Sequence, residues 1–519
     1  MSTLKIENKL LYYITLGGIL FLMIVPILFT IGNLFADDNL RHISSEAFDK
    51  AMLFLLAKSV FIAIMIAVIS TFLGTILGFL LYRTKLNYTS LIKLLILIPL
   101  FTSPYIQAVA WKDFSILFLN DSHLISSVGG VIIVLTFIFT PLSMLIIGSA
   151  LNSIHSSLEE SALIIVQTPI MILKILLPLL KPALLTSFIL IFIFSISEFS
   201  VPAFLGVNVF TTEIFTQFSA FYNHTLAIIQ SGFLVIICFA LLFAERRYIA
   251  DAPFLSIGEK GTQKRLYSTK FGFALGFLWF YLSISVVFPI LVLFLQSFKE
   301  GTAYFWEALD LLLPTFSNSI FLALGGALIS VFVGFIAGYF SIRHDLHLLN
   351  RMLLGVFAIP SIIFGISLIH FYNQNTLDFI YSSMLIVWIG YVGKFSFVSA
   401  KILSNAMKQI PQSIEESAQI IGINPVSHFI KILLPILSPA LFASFLISFI
   451  LNFGELGLTI MLYPPGMEIM PIKVFTIMAN APQGLTSSLT LIVFLLTLLL
   501  VLLFTYLTKS LFKRNTILK

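Results

Sequence analysis

Residues Glu159–Pro178 read EESALIIVQTPIMILKILLP, and residues Glu415–Pro435 read EESAQIIGINPVSHFIKILLP. From Glu159–Pro169 to Glu415–Pro425, seven of eleven positions are identical; from Lys174–Phe188 to Lys431–Phe445, eleven of fifteen are. Working outward, SVFIAIMIAVISTFLGTILGFLLYR aligns with SIFLALGGALISVFVGFIAGYFSIR, placing Gly74, Gly78 and Arg83 over Gly334, Gly338 and Arg343. Downstream, Glu198 falls on Glu455 and EIFT at 213 on KVFT at 473. The chain is a duplication, and each half is one copy of the same unit.

The surroundings of the repeat are apolar. Of 519 residues, 59% are hydrophobic and only 10% charged, with 54 Phe and a mean hydropathy of +1.07. That leaves too little polar surface to cover a soluble body, so the chain belongs in a lipid bilayer. The single cysteine, Cys238, lies in an apolar run, which excludes a disulfide framework or a cysteine-based metal site. The apolar stretch that follows Lys5 and Lys9 is long enough to span the hydrocarbon, and no small-residue cleavage site follows it, so it reads as a retained first span.

Apolar windows near 10–34, 52–82, 91–110, 128–151, 183–204 and 225–244 give six spans, and windows near 271–296, 317–341, 352–371, 379–403, 440–462 and 486–508 give six more. The fold class is therefore all-α and membrane-embedded, with about twelve transmembrane helices. An even number of spans per copy gives both copies the same orientation, a parallel repeat about an axis along the membrane normal. The division is residues 1–248, a linker at 249–268, and residues 269–519. Lys and Arg set the orientation. The stretch ERRYIADAPFLSIGEKGTQKRLYSTK carries six basic and three acidic residues, which places the linker and both termini in the cytoplasm.

In each copy the quoted segment joins the fourth span to the fifth, on the cytoplasmic side: about 152–182 in the first copy and 408–439 in the second. Glu159–Glu160 and Glu415–Glu416 open a helix whose dipole favours negative charge there. Ala162 and Ala418 follow. Gly422 and Pro425, or Pro169, then break the helix, and a short apolar helix is expected to end at Pro178 or Pro435. The pattern is a docking surface for a partner.

At these residues the chain resembles the integral membrane permease subunits of type I ABC importers. Their cytoplasmic coupling loop reads Glu-Ala-Ala, three residues, Gly, about nine residues, then Ile-x-Leu-Pro. Glu416, Ser417, Ala418, Gly422, Ile432, Leu434 and Pro435 match it, as do Glu160, Ser161, Ala162, Ile175, Leu177 and Pro178, while Val166 stands where the first copy would carry the glycine. Two such loops in one chain point to the fused branch of that family, two tandem six-helix permease domains. The stretches SEFSVPAFLG and ELGLTIMLYPPGMEIMP further resemble its ferric-iron permeases; relatives for thiamine, phosphonates or polyamines share the scaffold.

The resemblance implies a separate cytoplasmic ATPase, in two copies, that binds the ATP and Mg; an external substrate-binding protein; and residence in the bacterial inner membrane. No phosphate-binding loop of the G-x-x-x-x-G-K-[ST] type occurs in this chain, and the eight His residues are scattered, so no catalytic or metal site and no nucleic-acid partner are expected. A twelve-helix secondary transporter would need an intramembrane ionisable network, for which Glu198, Glu455 and Lys394 are the few candidates, and it gives no reason for a duplicated loop. A channel or scaffold gives none either.

Glu198 and Glu455 lie toward the outer end of the fifth span of each half. They either bond a neighbouring helix or headgroup, or face each other across the pathway of a cationic cargo. Lys394 either snorkels to the interface or meets a buried partner such as a carboxylate or helix-end carbonyls. Pro99, Pro104 and Pro360 are expected to kink the third spans.

Overall fold

The computed structural model describes residues 2–36, 49–86, 88–121, 123–249, 271–422 and 424–516. The basic linker and most of the 36–50 loop lie outside them. Among the described residues, ten helices are long and apolar enough to cross a bilayer: α1 (Leu10–Asn33), α2 (Lys50–Arg83), α3 (Val128–Ser153), α4 (Thr168–Ser197), α5 (His224–Phe243), α6 (Leu275–Ser297), α7 (Ala303–Arg343), α8 (Leu385–Lys408), α9 (Phe429–Gly454) and α10 (Gln483–Leu503).

Of the two remaining expected spans, one is a bent helix pair that brings the total to eleven, and the other is divided among three shorter helices, so the expected twelve are not all found as spans among the described residues. Near 352–371, helices Leu348–Ala358 and Ser361–Tyr372 meet at 104° around Pro360. Near 91–110 the chain runs as Thr89–Ile96, Ile98–Phe101 and Pro104–Leu119. Proline removes an N–H and crowds the preceding turn, which explains both breaks.

Compactness follows a different partition from chain order. One unit gathers residues up to Asp37, Pro314–Ile472 and the chain from Leu495; the other gathers Asp38–Leu313 and Lys473–Phe494. In the first, α1 packs on the broken third span of the second half. The Leu349 N–H donates to the Tyr12 hydroxyl (3.3 Å) and the Tyr372 hydroxyl to the Leu22 carbonyl (3.1 Å). In the second unit, α6 lies on Pro104–Leu119, with the Phe114 and Phe288 rings 5.4 Å apart. Each compact unit thus takes its opening span from the other half of the sequence.

Within each unit, the same seam joins the second and fourth spans. A Cβ placed on Gly74 would stand 2.3 Å from Ser143 Cβ, and one on Gly334 would stand 2.5 Å from Ser399 Cβ. Ser143 and Ser399 are equivalent positions of the repeat. Lipid offers no hydrophobic drive between helices, so close approach over small residues does this work.

Four helices share a second device. In each, a π-turn bonds i to i+5, Val25 N–H to Leu20 O, Leu177 N–H to Ile172 O, Phe288 N–H to Ser283 O and Leu434 N–H to Phe429 O, and a proline follows directly: Pro26, Pro178, Pro289 and Pro435. A proline ring collides with the carbonyl four residues earlier, and the wider turn relieves that collision. The expectation that Pro178 and Pro435 end short helices is therefore corrected. Helix continues through them to Ser197 and Gly454, so the fifth spans begin well before the apolar windows at 183 and 440.

The seam generates a test. Gly74→Ala or Gly334→Ala should lower the thermal unfolding midpoint of the detergent-solubilised protein, with an overpacking cost of about 1–3 kcal/mol. Gly17→Ala, a helical position where an added Cβ meets nothing within 4 Å, should not lower it.

Candidate functional site

The repeated loops fold alike. In the first, Ser156–Ile165 is helical, Val166 turns extended at φ −130°, and helix resumes at Thr168 with Pro169 in its first turn, where a missing N–H costs nothing. In the second, Gln412–Ile420 is helical and Gly422 takes φ +79°. The two breaks use different backbone. An extended residue needs no glycine, so Val166 serves; the left-handed conformation at Gly422 disfavours any Cβ, although nothing lies within 4 Å of where one would stand.

The adjacent glutamates of each pair have opposite fates. Glu159 turns inward: its Oε1 lies 2.7 Å from Arg83 Nη2, with both side chains only 1% exposed. The same Nη2 donates to the carbonyls of Leu151 (2.7 Å) and Ile154 (2.8 Å). In the second copy, Arg343 Nε donates to Glu415 Oε1 at 2.6 Å, with side chains 6% and 12% exposed, and Nη2 donates to the Ile410 carbonyl at 2.9 Å. Ile154 and Ile410 each stand five residues before their glutamate. Glu160 and Glu416, one residue on, are exposed.

Apolar packing fixes the same inward face. Ala162, Leu163 and Val166 lie against the cluster of Ile147, Leu151, Met171, Leu176 and Leu180, and Ala418 is buried. Outward, each short helix ends in a bare isoleucine pair, Ile164 and Ile165 at 86% and 85% exposure, Ile420 and Ile421 at 86% and 75%. Pro178 and Pro435 are exposed on α4 and α9, directly after their π-turns.

The sequence reading singled out the glutamates but not the arginines or the isoleucines. Both signals were available, since Arg83 aligns with Arg343 and the Ile-Ile pair recurs identically.

The remaining candidates lie elsewhere. Glu198 and Glu455 close α4 and α9 and hold the turns that follow. The Ser200 N–H and hydroxyl donate to Glu198 Oε1 and the Leu458 N–H to Glu455 Oε1 (2.9 Å); the hydroxyls of Thr211 and Thr459 donate to the two backbone carbonyls. Lys394 is buried and does not snorkel. Its Nζ donates to the carbonyls of Phe357 (3.1 Å) and Ile359 (2.7 Å), at the C-terminal end of Leu348–Ala358, where the helix dipole favours a cation. It thereby caps the 104° break.

Helices long and apolar enough to cross a bilayer, joined in each copy by the same outward-presented loop, make this a multi-pass membrane protein with an internal repeat. Residues 330–513 match the family model described as binding-protein-dependent transport system inner membrane component. The Fe(3+)-transport system permease protein FbpB 2 of Haemophilus influenzae is 24% identical over 433 residues, spanning 81% of this chain and 83% of that protein. The putative ferric transport system permease protein FbpB 1 of the same organism is 24% identical over 459 residues, 81% of this chain and 71% of its own length. The putative 2-aminoethylphosphonate transport system permease protein PhnV of Salmonella typhimurium is 30% identical over 146 residues, 28% of this chain and 54% of that protein. Over residues 330–513 the chain is thus similar to the inner membrane components of binding-protein-dependent transport systems, and over most of its length it resembles the ferric permeases.

Gly422→Ala should speed amide hydrogen exchange across residues 412–424 by roughly tenfold, from a left-handed penalty of about 1–2 kcal/mol. Gly422→Asn should fall between it and the parent, and Val166→Ala should leave the 156–168 amides far less affected.

Proposed function

We propose that this chain is the translocation subunit of an ATP-driven importer whose two loops each seat one copy of a separate cytoplasmic ATPase, and that its cargo is ferric iron handed over by an external binding protein. The observation that carries the reading is the repeated presentation of Glu160 with Ile164–Ile165 and of Glu416 with Ile420–Ile421, a charge beside an apolar pair, on helices held from behind by buried ion pairs. On this reading the loops, the linker and both termini are cytoplasmic, as the basic residues indicate. ATP and Mg bind to the partner.

Iron is favoured over the other cargoes by extent of similarity. The ferric permeases align across most of the chain, the phosphonate permease across a little over a quarter. Glu198 and Glu455 bring negative charge to the turns after α4 and α9, and a cation leaving water needs such compensation. Glutamine keeps the capping acceptor and removes the charge. The Glu198→Gln, Glu455→Gln double variant should therefore assemble normally and take up radiolabelled iron several-fold more slowly.

The Glu160→Lys, Glu416→Lys double variant should keep its membrane fold and lose ATPase co-purification together with uptake. Retained co-purification and uptake would remove the docking assignment. Deletion of the gene should abolish binding-protein-dependent iron uptake; loss of phosphonate, thiamine or polyamine uptake instead would keep the permease and change the cargo.

A further inference from the structure

The pairs Arg83–Glu159 and Arg343–Glu415 occupy the same place in both copies and do more than end a helix. Arg83 is the last residue of α2, Leu151 lies in the last turn of α3, Ile154 just past it, and Glu159 on the first turn of the docking helix. One guanidinium therefore joins the ends of two spanning helices to the loop. Arg343 does the same for α7, for the Ile410 carbonyl just past α8, and for the Gln412–Ile420 helix. The helices so joined are also those of the Gly–Ser seam, where Gly74 meets Ser143 and Gly334 meets Ser399. The guanidinium extends this close-packed helix pair into the loop.

We propose that Arg83 with Glu159, and Arg343 with Glu415, are positioning residues for energy coupling: they fix each docking helix to the helix pair behind it, so that displacement of the loop by an ATPase is delivered to the spanning helices. The proposal rests on the reading that the loops receive an ATPase. Glu159 and Glu415 then belong to the permease interior and not to the partner interface, which Glu160 and Glu416 supply.

The two clamps differ in geometry and burial. Nη2 of Arg83 has two hydrogens, both engaged by carbonyls, and holds the carboxylate as a sealed ion pair. Arg343 gives one hydrogen to a single carbonyl and bonds a partly wetted carboxylate through Nε. The second loop also breaks at a glycine. The first pair is the more deeply buried of the two and the second the more accessible to water. Removing one partner of a sealed pair leaves a buried charge unpaired, whereas water can reach the second pair.

The test uses the full chain assembled with its ATPase and reconstituted with the loaded binding protein, reading folded yield, ATPase retention and iron transported per ATP hydrolysed. Glu415→Arg should fold and retain the ATPase but transport about tenfold less iron per ATP, within the usual range of coupling effects. The swapped variant Arg343→Glu, Glu415→Arg should restore the ratio to within about threefold. Glu159→Gln should lower the ratio more than Glu415→Gln does. A Glu415→Arg variant with an unchanged ratio, a well-folded swap that restores nothing, or equal effects of the two Gln variants would overturn the proposal. Failure of the parent chain to retain the ATPase would instead overturn the docking assignment on which it rests.

Discussion

A buried arginine at the end of a spanning helix sets the arrangement of each repeated loop. Arg83 and Arg343 cannot stay buried without acceptors, because an unpaired guanidinium out of water is expensive. The nearest acceptors are the frayed carbonyls of the fourth span and the first carboxylate of the loop. Satisfying the arginine turns Glu159 and Glu415 inward. On a helix, that choice fixes the rest: residues three and four positions on, Ala162 and Leu163 in the first copy, share the inward face, while Glu160, Ile164 and Ile165 face out. The outward face of the loop follows from the buried pair.

Much of this was legible in the sequence. Repeat identity located both loops, the hydropathy pattern located the helices, and the Pro residues marked the broken third spans. The angle at Pro360 was not legible, because it depends on Lys394 reaching two carbonyls from a helix some 35 residues away in sequence. Nor was the continuation of helix through Pro178 and Pro435. Proline read alone signals a stop, and only the π-turn before it shows that the chain has made room. The first spans illustrate a different limit. A helix that is apolar all round carries no stripe naming its neighbour, so the packing of α1 on Ser361–Tyr372 and of α6 on Pro104–Leu119 had no counterpart in pattern.

The candidate pathway residues show why intramembrane charge is an ambiguous signal. Lys394, Glu198 and Glu455 all stand where helices break or end, and all three bond the backbone there. Broken helices expose carbonyls and amides that charged side chains satisfy, so the same residues that shape a pathway also frame it. What separates the repeated loops from such framing is the surface they present: two bare isoleucines beside a carboxylate, twice.

That surface offers the most direct test of the account. Cys238 is the chain's only cysteine, so in a Cys238→Ala background a cysteine replacing Ile164 or Ile420 can be probed alone by cross-linking to the co-expressed ATPase. The account predicts that each single variant captures one ATPase copy and that the double variant captures two per permease. Capture from one loop only, or from neither while the intact complex still assembles, would contradict it.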